Sequence, residues 1–331
     1  MKRKLNGKAL ALIALILLLG ISAYKIPHFI NVSKLEKLGY SENAIKTIYK
    51  KNIKSIILNN NIYSDYLNEE VCKDSFKKEY LSLYSVCDNL TDQSFKLYDR
   101  LKELKGYSDE ELLTLFGTLE EYELTPLLVY DRVIVDTYII DCRSHNNTRD
   151  SFVVENNYIK EEPKEVTNPE DTNVFVSRRF TIGEYVPSKL VAVPSKETVD
   201  SCYLETRALE AFNNLFTVMD EKGLTVYASG GYLPYEYAVH PGTYDKQTGL
   251  GVSLVSKENL SESYFNESKA YSFLKENAHL YGFIQRYPQN KESITLYPGE
   301  ANYYRYVGVE LATKIYNSGL TFDEYYMLYL Y

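Results

Sequence analysis

Beyond Val174 the chain switches repeatedly between two hydrophobic periods, and glycines punctuate the switches. Leu209, Phe212, Leu215, Phe216 and Met219 recur at helical spacing between Glu205 and Lys222, and Gly223 follows. That is the pattern of an amphipathic helix with a glycine stop. Leu224–Ala228 and Leu250–Val255 read as strands, Ser272–Tyr281 as a helix before Gly282, Glu300–Gly308 as a last strand and Val309–Asn317 as a last helix. Val174–Val176 is strand-like and Glu184–Leu190 a turn-rich approach. Mixed elements of this kind predict an α+β domain, a small sheet flanked by helices, over residues 174–331.

The preceding region is mainly helical. Leu35–Ile48 resembles Leu101–Leu115: each reads as a short helix ended by Gly39 or Gly106, then restarted by Ser41 or Ser108 as N-cap. Glycine adopts the left-handed conformation that such a stop requires. Ser108 with Glu111 makes a capping box. A periodic helix is expected between them, around Glu69–Cys87, and a β-branched strand over Val133–Ile140. These features define a helical region over 31–143, a spacer or docking module. Residues 144–173, rich in charge and proline, read as a linker or exposed loop.

Lys2, Arg3, Lys4 and Lys8 precede an apolar run from Ala9 to Tyr24. Cations before an apolar core place the rest of the chain outside the membrane. The run is short for a span of roughly 20 residues. Residues 1–30 are therefore read as a single-pass signal-anchor, with a cleavable signal peptide ending near Ile21-Ser22-Ala23 as the alternative. Either way the protein is exported. Without those four cations, 33 basic residues face 45 acidic ones, a net of −12. An acidic balance excludes a general nucleic-acid binder, which needs a basic face. Cys72, Cys87, Cys142 and Cys202 allow three disulfide pairings, or four reduced thiols, and no C-x-x-C occurs.

Four stretches carry a family resemblance. They are Gly230-Gly-Tyr-Leu-Pro-Tyr-Glu-Tyr237, Pro241-Gly-Thr-Tyr-Asp-Lys-Gln-Thr-Gly-Leu-Gly-Val-Ser253, Asn277-Ala-His-Leu-Tyr-Gly-Phe-Ile-Gln-Arg-Tyr-Pro288 and Glu300-Ala-Asn-Tyr-Tyr-Arg-Tyr-Val-Gly308. In order and in scaffold residues they resemble the S-G-Y-R-S-Y-E-Y, P-G-x-S-E-H-Q-T-G-L-A-x-D, N-A-H-x-Y-G-F-I-x-R-Y-P and E-P-W-H-Y-R-Y-V-G segments of VanY-type D-alanyl-D-alanine carboxypeptidases. These are zinc peptidases that trim peptidoglycan stem peptides. The resemblance implies the D-Ala-D-Ala carboxypeptidase/hedgehog-like domain, with a small antiparallel sheet, behind the helical region and the membrane anchor.

The chemistry departs from the scaffold. Lys246 stands where the first zinc-binding His is expected, Ser253 where the Asp is, and Tyr303 where the last His is. Glu300 alone matches a catalytic position, the family general base. Leu233 replaces the substrate-side Arg, Asn302 the Trp, and the stretch between Tyr237 and Pro241 is shorter than the family's. A hydrolytic zinc needs about three donors and one open position. An ammonium has no lone pair, and neutral hydroxyls are poor donors. Without the metal, Glu300 faces a water of pKa ~15.7 rather than about 7. No cofactor is expected, and Glu300 is expected to be idle.

A relocated site would have to draw on His240, Asp245 and Glu300. His240 reads instead as a loop residue and His279 as scaffold, while His28 and His145 lie outside the domain. The alternative is a collapsed pocket in which the Lys246 ammonium pairs with Glu300, against two solvated side chains that never meet. Tyr232, Gln247, Thr248 and Arg305 are the candidate ligand contacts, Arg305 as a carboxylate fork or as a structural salt bridge. Tyr235, Tyr237, Tyr244, Tyr303 and Tyr304 offer flat amphipathic contacts or plain packing. Three functions follow: a membrane-tethered, catalytically degenerate carboxypeptidase-like protein that binds stem peptides or an envelope protein; an active carboxypeptidase with unorthodox ligands; or an envelope interaction protein working through its helical region.

Overall fold

The computed structural model describes residues 27–87, 90–144 and 158–331. The membrane-anchor expectation, residues 1–30, falls outside that set except for residues 27–30. Among the described residues no helix is long and apolar enough to cross a membrane. The chain divides into two compact units, Met1–Phe95 and Lys96–Tyr331.

In the first unit a helix over 27–38 stops at Gly39, whose φ is +113°. A Cβ there would lie 2.6 Å from the Tyr63 ring, so space as well as backbone demands glycine. Tyr40 is buried and donates to Ile62 O at 2.9 Å, and Ser41 caps the helix Glu42–Lys50 as expected. The helix expected around Glu69–Cys87 is broken. It appears as Asp65–Glu70, a turn, and a 3-10 segment Lys78–Ser85. The break frees backbone carbonyls, and Lys51 Nζ takes up two of them, donating to Lys73 O at 2.7 Å and Phe76 O at 3.2 Å.

The second unit opens with the second hairpin. Gly106 sits at φ +69° and Ser108 forms the expected capping box with Glu111 at the start of Asp109–Phe116. The strand expected at Val133–Ile140 is a helix, Val135–Ser144. Val135, Tyr138, Ile139 and Cys142 are buried at i, i+3, i+4 and i+7, while Ile134 and Ile140 are left exposed. Burial of one helical stripe outweighs the β preference of branched side chains.

Part of the expected linker, 145–157, lies outside the described residues. From Tyr158 onward the segment is docked rather than free. The Tyr158 ring stacks on Tyr130 at 5.3 Å, and Asp131 accepts the backbone N–H of Lys160 and Glu161 at 2.5 and 3.0 Å. Strand β1 (Lys164–Glu165) then pairs in parallel with β2 (Phe180–Thr181). Val174–Val176 joins no strand. Instead, the carbonyls of Thr172 and Val174 accept from Arg305, at 3.1 and 3.0 Å, and Val176 O from Arg286 at 2.9 Å.

The domain is α+β. Strands β3 (Leu190–Ala192) and β4 (Tyr203–Glu205) form one antiparallel pair. A four-stranded antiparallel sheet runs in the order β5-β6-β8-β7, with β5 Val226–Gly230, β6 Gly251–Ser256, β7 Phe283–Tyr287 and β8 Glu300–Tyr306. Alternation along strands divides it into two faces. Val226, Ala228, Val252, Leu254, Phe283 and Tyr304 join one core with Phe212, Leu215, Phe216 and Met219 of the helix Thr206–Glu221. On the other face Gly251 and Ser253 stand opposite Arg305 and Tyr303.

That second face is held by charge. Asp245, Arg286, Arg305 and Asp323 are fully buried. Arg305 Nη1 donates to Asp245 Oδ1 at 2.6 Å, and Arg286 reaches both oxygens of Asp323 at 2.5 and 3.3 Å. Removing one partner of a buried pair strands the other. Asp245→Asn is therefore expected to cost about 3–5 kcal/mol in denaturant unfolding. A loss below about 1 kcal/mol would show that the network contributes little.

Candidate functional site

Three consecutive residues build the site. Tyr244 leads into the 3-10 turn Asp245–Thr248, so neighbouring side chains leave the backbone in different directions. Asp245 goes inward to Arg305, and its Oδ2 accepts the Tyr303 hydroxyl at 3.0 Å. Tyr244 and Lys246 reach the first residue of β8 instead. Tyr244 OH donates to Glu300 Oε1 at 2.9 Å, and Lys246 Nζ to Glu300 Oε2 at 3.0 Å. The ammonium also lies 4.9 Å from the Tyr303 ring centre and 5.5 Å from that of Tyr244. Cation–π contact adds to the ion pair in such a place.

A tyrosine layer backs this arrangement. Tyr287 and Tyr303 stack at 5.7 Å, and Tyr297 sits between Tyr287 and Tyr244, at 5.2 and 5.3 Å. Burial, reinforced by the Glu300 charge, pushes the Tyr244 hydroxyl above the usual phenol range, and burial with the Asp245 charge does the same for Tyr303. Burial also lifts Tyr297 to about 12, although its bond with Thr243 works the other way. All three remain neutral phenols, donors rather than anions, at ordinary pH.

The collapsed pocket expected from the sequence is therefore present in geometry: Lys246 and Glu300 meet, with side chains 19% and 25% exposed. Several expected contacts are not available to a ligand. Gln247 is fully buried, its Oε1 accepting from Gly242 N and its Nε2 donating to Gly183 O and Tyr185 O. Thr248 donates to Asp245 O and accepts from Leu250 N. Arg305 is the structural salt-bridge residue of its two readings, with no exposed fork. Tyr304 is core. Of the former ligand contacts Tyr232 alone is partly exposed, beside Tyr235 and the exposed Tyr237.

The donor set does not fit a zinc ion. Tyr303 spends its hydroxyl on Asp245, Ser253 is a buried hydroxyl on β6, and Lys246 is a cation. A divalent ion about 4 Å from that ammonium would be repelled by roughly 8 kcal/mol at an effective dielectric of 20. Nor do other residues rebuild the site. His240 Nε2 lies 3.1 Å from Arg178 Nη1, and burial plus that guanidinium hold its imidazole below the usual range. His279 stacks on Tyr316 at 3.8 Å. His28 belongs to the other unit, and His145 lies outside the described residues. Among the described residues no three His, Cys, Asp or Glu side chains group to hold a metal.

One departure explains another. The resemblance puts an alanine at position 251, where this chain has Gly251. A Cβ on Gly251 would lie 2.0 Å from the Tyr303 hydroxyl and 2.4 Å from Cζ. Tyrosine at 303 and a side chain at 251 exclude each other. The sequence reading missed this, as it missed Tyr244 as the second donor to Glu300 and Asp245 as the inward anchor. The available signal was that 244, 245, 246, 251, 253 and 303 all depart from the motifs together.

Gly251→Ala is expected to destabilise the chain by about 1–3 kcal/mol through overpacking. In a Tyr303→His background the same change is expected to cost less than about 1 kcal/mol, because the clash is gone. Denaturant unfolding of the four chains of this cycle measures the coupling. Additive losses would mean that the two positions do not touch.

The family model and the sequence relatives agree with the motifs. Residues 235–309 match the family model described as VanY: D-alanyl-D-alanine carboxypeptidase. YodJ of Bacillus subtilis (strain 168), named as a carboxypeptidase, is 30% identical over 220 residues, 56% of this chain and 80% of that protein. The D-alanyl-D-alanine carboxypeptidase of Enterococcus faecalis (strain ATCC 700802 / V583) is 38% identical over 115 residues, 33% of this chain and 41% of that enzyme. A crystal structure of the vancomycin-resistance D,D-pentapeptidase VanY in complex with Zn(II) is 28% identical, with a TM-score of 0.40, over 46% of this chain and 98% of that one. The chain belongs to the VanY-type D-alanyl-D-alanine carboxypeptidase family.

Proposed function

We propose that this chain is a catalytically degenerate member of its family that binds the D-Ala-terminated ends of peptidoglycan stem peptides without cleaving them. One observation supports this reading above the rest: an ammonium stands at the place of the first metal ligand and is paired with the general base at 3.0 Å. Without a metal beside it, Glu300 faces water of ordinary acidity. A lone general base contributes about 10²–10⁴-fold, short of what amide hydrolysis needs. The ammonium is only partly consumed by Glu300, because it carries three donors and none that must stay dry. An incoming terminal carboxylate or peptide carbonyl has Lys246 as its donor, and the segment of the partly exposed Tyr232 and Tyr235 and the exposed Tyr237 is tied to it through Leu233 N donating to Lys246 O at 3.2 Å.

The location is part of the same proposal. The cationic and apolar segment before residue 30 carries the domain across and keeps it tethered at the outer face of the cell membrane, with secretion after cleavage as the other outcome.

The test is a stem-peptide mimic ending in D-Ala-D-Ala, titrated into the purified full-length chain in detergent and followed by calorimetry and by release of D-Ala. Saturable binding without D-Ala release is expected, weakened by Lys246→Met. Release of D-Ala that disappears in Glu300→Ala would make the chain a working peptidase and end this reading.

A further inference from the structure

The disagreement between these residues and a metal is concerted, and it carries a statement of its own. Charge, volume and hydrogen bonding have each been replaced. For charge, Lys246 Nζ lies 3.0 Å from Glu300 Oε2 and over two ring faces, those of Tyr303 and Tyr244. For volume, Tyr303 fills the space beside β6 that a Cβ on Gly251 would deny it. For hydrogen bonds, both oxygens of Glu300 are satisfied by the chain itself, and the Tyr303 hydroxyl is spent on Asp245. The surrounding charges are already balanced, two buried aspartates against two buried arginines, so the pair needs no further ion.

We infer that this place is a cation site whose cation is the chain's own Lys246 ammonium, and that a small primary alkylammonium fills it when the lysine side chain is cut back. The walls determine the ligand class. A carboxylate oxygen and two aromatic faces around one position favour a monovalent ammonium, which supplies N–H donors to Glu300 and a positive charge to the rings. A divalent metal finds no lone-pair set beyond Glu300. An alkali ion supplies the charge without the donor. The inference concerns what occupies the site and stands whether or not the chain binds stem peptides.

Lys246→Ala removes three methylenes and the amine, which n-propylammonium restores atom for atom. In thermal unfolding of the full-length chain in detergent, Lys246→Ala is expected to lower the midpoint by about 2–4 °C or more. Added n-propylammonium is expected to recover that loss saturably, whereas tetramethylammonium or sodium at equal ionic strength does not. The recovery is expected to vanish in Lys246→Ala/Glu300→Gln. Lys246→Met, which keeps the volume and drops the charge, is expected to melt lower than the parent even if the alanine chain does not fold. Any of three results overturns the inference: a Lys246→Met midpoint equal to the parent's, a Lys246→Ala chain that n-propylammonium leaves unchanged, or a zinc ion bound by the parent one to one with a raised midpoint. The peptide titration above is read separately, so failure of one idea leaves the other standing.

Discussion

The carboxylate of Asp245 is the joint on which the rest of the domain turns. It is buried without exposure, and it accepts from Arg305 and from Tyr303. Those bonds fix the 3-10 turn that follows Tyr244, and with it the directions of Tyr244 and Lys246 toward β8. Arg305 and Arg286, whose Nε lies 3.5 Å from Asp245 Oδ1, also hold carbonyls of Thr172, Val174 and Val176. Arg286 then ties in Asp323, which lies in a turn capped by Thr321 and Glu324. Segments far apart in sequence are thereby joined through four charges that sum to zero. Such networks are weak evidence for stability but costly to break, which suits a scaffold that must hold a turn in one position.

On the proposed reading, the chemistry on that scaffold has been rewritten while the frame has stayed. The helix Thr206–Glu221, the sheet order and the residues beneath the turn serve packing and charge, and none of them needs the metal. Six positions that depart from the family motifs, 244, 245, 246, 251, 253 and 303, lie on one sheet face and one turn. On the proposed reading the family fold survives as a binding surface because its core and its buried ion pairs involve no metal.

Much of this was legible in the sequence where a local physical rule decides the outcome. Gly39 and Gly106 stop helices in the left-handed region, Ser41 and Ser108 cap the next ones, and Glu205–Lys222 is helical from its caps inward. The approach of Lys246 to Glu300 was also foreseeable, because two opposite charges replacing a metal centre favour each other. What escaped were positions settled by distant partners. Val135–Ser144 is helical because one stripe is buried, against the branched composition of the run. Gln247, Thr248 and Arg305 looked like ligand contacts and turned inward, because backbone groups of Gly183, Tyr185 and Val174 needed donors there. Polar composition suggested a free linker before Val174, yet Asp131 and Tyr130 supply anchors for its described end.

The contact between Gly251 and Tyr303 has a consequence for heredity. Because the phenol occupies the room a methyl group would take, a codon change that introduces alanine at 251 is harmful while tyrosine remains at 303. A change that introduces histidine at 303 opens a hole beside Gly251 and removes the tyrosine hydroxyl that donates to Asp245. Gly251 and Tyr303 are thus interlocked: neither takes the family residue alone without a loss that the other's replacement bears on.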